Sequence, residues 1–381
     1  MSEATALTGG TGLRPAIASA LDRVAVPGDT AALWRELGRA GVLRALSPSG
    51  AGQPPARGGT ADPWALEVLL TELDARHPTG TVLSACVQLA TALPILAEGL
   101  GSDLVRSVYE SVLDGEGRVA LAATDLGAGG SDLMEATTVA ELGEDRVVVN
   151  GGKRWITDAT TAGHALVLAR HRPARHFTSF VWVLVPTDAP GVTVEATSTR
   201  LFLGSGVGNL RFDDVTVGRD HVVGRPGRAL PSFARHIGTE RLASALWARA
   251  ICRRVLDRTR ERLAEHPLHG RTAWDNDAVR ARFATCLVEL RRMDALCETI
   301  RGGPDEQPTA VDGMIAKAAV AASLQYVVGE CVQLQGAAAF GDDGIAHLHT
   351  EAAAWSIAGG ATGAMLAGVA DHAADVLKAT R

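Results

Sequence analysis

From Asp29 to Leu46 the stretch DTAALWRELGRAGVLRAL places Leu33, Leu37 and the pair Val42–Leu43 near one helical face, with Asp29 positioned to cap its start. SPSGAGQPPARGGTADP, residues 47–63, then reads as a Pro/Gly loop between helices. WALEVLLTELDARH and the long apolar run SACVQLATALPILAEGL resume the helical period. From about Arg118 the period shortens. VALAATD, ATTVAEL, DRVVVN, KRWITDA, HALVLAR, SFVWVLVP, VTVEATS and GNLRFDDVTVG are β-type runs divided by Gly, Asp and Pro, which predicts a compact antiparallel sheet or barrel. After about Gly227 the pattern is helical to the end, in four long segments with mostly apolar stripes. These predict a bundle whose faces are buried on neighbours or on another subunit. No internal repeat is found. The fold class expected is α+β: an N-terminal helical domain over 1–117, a middle antiparallel β domain over 118–227 and a C-terminal helical bundle domain over 228–381.

One β run raises a question of chemistry. VVVNGGKRWITDA, residues 147–159, reads as a strand, a tight Asn150-Gly151 turn and a second strand, because those two residues tolerate the positive φ of a two-residue hairpin. Trp155 stands near the end of that second strand in a chain only 4% aromatic. It is either a core tryptophan or a flat surface for a flat ligand.

Composition narrows the classes. A chain of 381 residues, 46% hydrophobic and 21% charged, has ample core for one large domain or two to three small ones. A net charge of −6 gives no basic excess for nucleic acid or an anionic membrane. The start, MSEATALTGGTG, does not read as a signal peptide, so none is expected, and apolar runs such as SFVWVLVP read as too short to span a bilayer. Cys86, Cys252, Cys286, Cys297 and Cys331 lack CxxC spacing, so reduced thiols and a cytoplasmic location are expected, without zinc. His266 and His269 form a loop pair without nearby carboxylates, and no metal is expected there.

Several strings, in order and at suitable spacing, resemble the acyl-CoA dehydrogenase family over essentially the whole chain. They are LAATDLGAGGSD (121–132), GGKRWITDA (151–159), LRFDDVTVG, TERLASA, GRTAWDNDAVRARFA, MIAKAAVA and VQLQGAAAFG. The resemblance implies FAD as cofactor. It assigns Trp155 to packing on the flavin ring and Thr157 to a hydrogen bond near its reactive nitrogen. Thr124 and Ser131 fall at positions that contact the flavin and its diphosphate, and Gln333 and Gly336 at further FAD contacts. A ring carried on a rigid strand positions a cofactor well, and glycines let backbone N–H groups approach phosphates closely.

The family reaction takes the α proton of an acyl thioester to a carboxylate while flavin takes the β hydride. Many members carry that carboxylate near the C-terminus, where this chain has SIAGGATGAM with Gly359 at the glutamate's place. The isovaleryl- and long-chain-type members carry it earlier, in a Glu-Arg-Leu string, and here Glu240-Arg241-Leu242 matches. Glu240 is therefore the expected base, with Arg241 and Gly359 shaping the substrate pocket. An acidic residue near a helix start is also common as a solvated pair.

Other positions depart from the family. His266 and His269 replace an arginine and a phenylalanine that reach FAD across a subunit interface. Asp277 replaces a glutamine, Ala337 a glycine, and Ala361 and Gly363 a Thr and a Glu of the last flavin segment. A mostly neutral histidine clamps phosphate less well than arginine. The implied function is dehydrogenation of an acyl thioester on CoA or a carrier protein, with an electron-transferring flavoprotein or oxygen as acceptor, in a homodimer or homotetramer of secondary metabolism. A flavin-dependent monooxygenase and a non-catalytic partner subunit remain as alternatives. ARHRPARH, residues 169–176, is a basic loop, either a solvated hairpin tip or a patch able to attract a phosphopantetheine or an acidic carrier protein.

Overall fold

A computed structural model describes residues 12–47, 59–127, 130, 132–302 and 308–379. The chain divides into two compact units, Met1–Glu240 and Arg241–Arg381. The first begins with helices α1 (Leu13–Asp22), α2 (Thr30–Arg39), α3 (Val42–Leu46) and α4 (Pro63–Asp74). Asp29 caps α2 by accepting from the Ala32 N–H at 2.9 Å, and Leu33, Trp34 and Leu37 are its buried face. Asp62 caps α4, with Pro63 in its first turn where no N–H is needed.

A nearly continuous rod follows: α5 (Thr79–Val87), a π turn (Gln88–Ala92) and α6 (Leu93–Ala97). Pro94 has no N–H to return to Ala90. The Leu93 N–H instead bonds the Gln88 carbonyl five residues back, which makes the π turn. Thr79–Ala97 is long and apolar enough to cross a membrane, as is Ala310–Phe340, which corrects the expectation drawn from run length. In the first of these, 83% of the most apolar window is buried within the protein, and Ser84, Gln88 and Thr91 on it are hydrogen-bonded, so it is a core helix. Helix α7 (Asp103–Leu113), capped by Ser102, completes the helical part.

The sheet has eight strands: β1 (Val119–Ala122), β2 (Val139–Leu142), β3 (Arg146–Ile156), β4 (His164–Arg170), β5 (Phe180–Pro186), β6 (Val192–Ala196), β7 (Gly208–Gly218) and β8 (Val222–Val223). Their order is β6-β7-β3-β2-β4-β5-β8, with β1 on β4. Most pairs are antiparallel as expected, but β1–β4 and β2–β4 run parallel. Inward residues of β3, β4, β5 and β7, among them Val149, Val167, Val183 and Phe212, form one buried cluster.

Asn150-Gly151 is not a hairpin turn. β3 runs straight through it, with an irregularity against β7 between Val149 and Gly151. The Asn150 side chain exchanges two hydrogen bonds with Asp214 of β7, whose own φ is +48°. Gly151, at φ +130°, has Thr138 Cα only 2.7 Å from where a Cβ would stand. The glycine serves close packing and a bulge, the other common use of this dipeptide's freedom.

Helix α8 (Ala229–Glu265) leaves the first unit at Glu240 and continues into the second. There it is followed by α9 (Asp277–Arg301), α10 (Ala310–Gln335), α11 (Ala346–Trp355), α12 (Thr362–Asp371) and α13 (Ala373–Ala379). Asn276 caps α9, and Thr309 with Asp312 makes a capping box on α10.

Candidate active site

The end of β3 is bent outward. Two residues, Arg154 and Trp155, lie between the paired Lys153 and Ile156 where β7 has one, Asn209, so one residue is extra. Trp155 takes up that excess at φ +55°, its N–H donating to Asn209 Oδ1 at 3.2 Å. The bulge turns its ring away from the core, leaving it 55% exposed beside the fully buried Lys153. Of the two readings of this tryptophan, the core one is excluded within the first unit. Thr157 follows in the turn, half-buried, and its hydroxyl has no partner among the described residues.

Thr124 lies against the same corner. Its carbonyl accepts from the Arg154 N–H at 3.1 Å, and the Leu126 N–H donates to Gly152 O at 3.0 Å, so 124–126 runs as an extra edge along β3. Gly130 stands so close that an added Cβ would lie 2.9 Å from Thr124 Oγ1. Ser131 lies outside the described residues.

Two buried carboxylates hold the corner from behind. Asp125 pairs with Lys153 at 3.0 Å, both almost wholly buried. Asp125 also accepts from both Thr138 N–H and Oγ1 (3.0 and 2.6 Å) and from Thr137 Oγ1 (2.8 Å). Burial works to raise the Asp125 pKa, but the Lys153 charge and these donors outweigh it and hold the carboxyl well below its usual value. Burial draws Lys153 down to about 8 against the pull of Asp125. Asp158, at φ +62°, accepts from Ser84 Oγ at 2.7 Å, Arg118 Nη1 at 3.0 Å and Thr161 Oγ1 at 3.2 Å. Its burial raises its pKa despite Arg118.

Glu240, half-buried on α8, accepts a hydrogen bond at its Oε2 from Thr91 Oγ1 at 2.5 Å. Burial first, and the nearby Glu240 charge second, push the Cys86 thiol well up. One turn earlier on α8, His236 Nε2 meets Glu98 Oε1 at 3.1 Å. The rod α5–π–α6 thus touches both the Asp158 corner and the Glu240 carboxylate.

In the second unit, Arg241 Nε donates to the Gly359 carbonyl at 2.9 Å. Gly359 has φ +69° and Gly360 +113°. Lys317 Nζ donates to the carbonyls of Trp355 (2.6 Å) and Ala358. Gln333 is exposed at the end of α10, where Gly336 caps the helix at φ +62°. His269-Gly270 forms the tip of a small hairpin, Pro267–Leu268 against Arg271–Thr272, both tip residues in the left-handed region. Asp277 opens α9 with its side chain fully exposed, Ala361 precedes α12 and Gly363 lies in its first turn.

The first unit therefore brings Thr124, Trp155 and Thr157 to one corner and hydrogen-bonds Glu240. Sequence reasoning missed Thr91, Ser84 and Asn209. A signal for the first two was present: Ser84, Gln88 and Thr91 are polar positions spaced as one face of an otherwise apolar helix.

With that geometry in hand, comparison with known proteins is informative. The middle-domain model of the acyl-CoA dehydrogenases matches residues 120–215, and their C-terminal-domain model matches 230–374. An acyl-[acyl-carrier-protein] dehydrogenase, MbtN, of Mycobacterium sp. (strain MCS) is 27% identical over 315 residues, covering 81% of this chain and 76% of its own. Two solved structures superpose over nearly their full length. One, an FAD-dependent dehydrogenase, has a TM-score of 0.82 at 20% identity, over 96% of this chain and 98% of that one. The other, the prolyl acyl carrier protein oxidase AnaB, has a TM-score of 0.82 at 16% identity, over 94% and 97%. At these identities the two structures speak to the fold.

Proposed function

Because the chain belongs to the acyl-CoA dehydrogenase family, we propose that it is an FAD-dependent dehydrogenase that introduces an α,β double bond into an acyl thioester. The observation that carries this reading is the Glu240 carboxylate, hydrogen-bonded by the buried Thr91, in a chain whose alternative base position is Gly359. FAD, when bound, supplies the acceptor for the Cβ hydride. Its ring fits the corner at Trp155: a flat exposed aromatic, the half-buried Thr157 hydroxyl, and Gly130 without the Cβ that would crowd Thr124. Ser131, Gln333 and Gly336 are assigned to the cofactor on the family resemblance.

The remaining chemistry belongs to the protein. Glu240 takes the Cα proton, which the thioester carbonyl acidifies. Trp155 and Thr157 hold the ring on a corner fixed by two buried carboxylates, so it does not drift from the reacting carbons. Arg241 acts on the Gly359 loop rather than on a proton.

We take the thioester to ride on the phosphopantetheine of an acidic carrier protein. The β4–β5 tip carries exposed Arg172 and Arg175 beside exposed Phe177, and Arg175 also pairs with Glu135. The Gly227 N–H donates to Phe180 O at 2.9 Å and brings exposed Arg225 and Arg228 alongside. Four exposed arginines in a chain of net charge −6 favour an anionic partner. On the second unit, exposed Leu287, Val288 and Tyr326 of α9 and α10 support burial against another copy in a homo-oligomer.

The test is the visible spectrum of the purified protein under anaerobic titration with short acyl thioesters of CoA and of a carrier protein. Bleaching of bound flavin by a thioester, lost in Glu240→Gln, supports the reading. A yellow protein that ignores every thioester but consumes oxygen with a flavin reductase overturns it in favour of a monooxygenase. Reversing Arg172 and Arg228 to glutamate should lower kcat/KM for the carrier-bound form by about tenfold or more and leave the CoA form nearly unchanged. Equal loss on both refutes the carrier assignment.

A further inference from the structure

We propose that Thr91 is a positioning residue for the Glu240 carboxylate, built into the π turn of the α5–α6 rod so that one helix sets both the cofactor corner and the base. The inference rests on the reading of Glu240 as base. Thr91 is fully buried, and its hydroxyl donates to Glu240 Oε2 at 2.5 Å. It is not an isolated contact. Seven residues earlier Ser84 Oγ donates to Asp158 at 2.7 Å, directly behind Thr157. Between them Gln88 Oε1 accepts from the Val119 N–H at 2.9 Å, at the start of the strand that delivers Thr124. Thr79 and Thr81 open the rod, and from Val82 onward these three side chains and Cys86 interrupt a surface otherwise packed with Leu, Ala, Val and Ile.

Their i, i+4, i+7 spacing places them on one face of the rod, and the π turn adjusts the last of them. That turn inserts one residue's worth of rotation just where Thr91 sits, and it follows from Pro94 three residues on. A carboxylate is free to turn about its last torsion, which is broad. A hydroxyl donating to one oxygen removes that freedom and presents the proton-accepting lone pairs in one direction. The same bond favours the charged carboxylate over the acid. Thr91 touches Glu240, not the reacting carbons, so its effect passes through that carboxylate.

The decisive measurement needs no substrate. Glutamate δ-carboxyl groups are labelled with 13C, the Glu240 resonance is identified by its loss in Glu240→Gln, and it is titrated in the FAD-loaded protein, in Thr91→Val and in Thr91→Ser. Valine fills the same buried volume without the hydroxyl, and serine keeps the hydroxyl. The expected result is a titration midpoint raised by roughly one pH unit in Thr91→Val, the size of one hydrogen bond to a charged group, and returned to the wild-type value in Thr91→Ser. The pH dependence of anaerobic flavin bleaching should move up by the same amount in Thr91→Val, with the flavin spectrum unchanged. An unmoved midpoint in Thr91→Val overturns the proposal. Should valine prevent folding, Thr91→Ala with the same titration decides. The two readings fail separately: bleaching that survives Glu240→Gln removes the base, whereas bleaching that needs Glu240 but ignores Thr91 removes only the positioning.

Discussion

The two units hold the segments around Glu240 and Gly359 by different chemistry, although each uses the other's bond elsewhere, as in Lys153 on the Ala123 carbonyl and Thr309 on Asp312. In the first, carboxylates are fixed by hydroxyls: Asp125 by Thr137 and Thr138, Asp158 by Ser84 and Thr161, Glu240 by Thr91. In the second, cations are fixed on backbone carbonyls: Arg241 on Gly359, Lys317 on Trp355 and Ala358, Arg258 on Asp343. A hydroxyl donor keeps a carboxylate oriented and charged. A cation on a carbonyl pins a loop and needs no side chain from the loop itself. The first arrangement suits a segment that does proton chemistry and the second a segment that shapes a wall.

The largest effect that could break this contrast lies at the two base positions. Glu240→Gln should slow flavin bleaching by about 10²- to 10⁴-fold, the usual worth of a general base. Adding Gly359→Glu to that variant should not restore the rate. Position 359 has φ +69°, where an L side chain costs about 1–2 kcal/mol, and its carbonyl is already committed to Arg241. Recovery of activity in the double variant, followed by the same bleaching assay, would mean the second unit can carry the base after all.

A smaller effect tests the buried pair. Asp125→Asn strips Lys153 of its counter-charge in a dry site, where it must stay charged unpaired or give up its proton, and loss of one partner of a buried pair costs about 3–5 kcal/mol. Urea unfolding measures it. The pH dependence has a definite sign. The Asp125 pKa is depressed in the fold, so its contribution is complete above its ordinary value of 3.8 and is lost as pH falls below it. Wild-type stability should fall along that acid limb, and Asp125→Asn should flatten it. An unchanged limb would show that the pair does not anchor the corner.

Much of this was legible in the sequence, for physical reasons that differ by residue. The helix–sheet–helix order follows from the change of period near Arg118 and back near Gly227, because periods of 3.6 and 2 are hard to confuse over long runs. Trp155 could be singled out but not placed, since only the extra residue between Lys153 and Ile156 turns it outward, and a bulge has no reliable local signature. Asn150-Gly151 misled because a dipeptide that permits positive φ serves a hairpin or a bulge equally well, and the partner that decides, Asp214, lies 64 residues away. The Asp125–Lys153 and Thr91–Glu240 contacts span 28 and 149 residues, and single-sequence pattern cannot pair such positions. Ser84, Gln88 and Thr91 were readable as a polar stripe within an apolar run, although their partners were not.

The smallest predicted effect separates the site from the scaffold that carries it. Trp155 is 55% exposed, and its backbone N–H bond to Asn209 does not involve the ring. Trp155→Ala should therefore change the stability of the FAD-free protein by less than about 0.5 kcal/mol, as other exposed substitutions do. The ring's stacking on the cofactor is worth about 1 kcal/mol, so FAD affinity should fall about fivefold, read by fluorescence titration. A tryptophan that belonged to the core would show the reverse pattern, with a loss of several kcal/mol and little specific change in FAD affinity. Stability nearly unchanged with weakened FAD places Trp155 among the groups that wait for a ligand. Lost stability with unchanged affinity would return it to the scaffold and leave Thr157 and Thr124 as the corner's only cofactor groups.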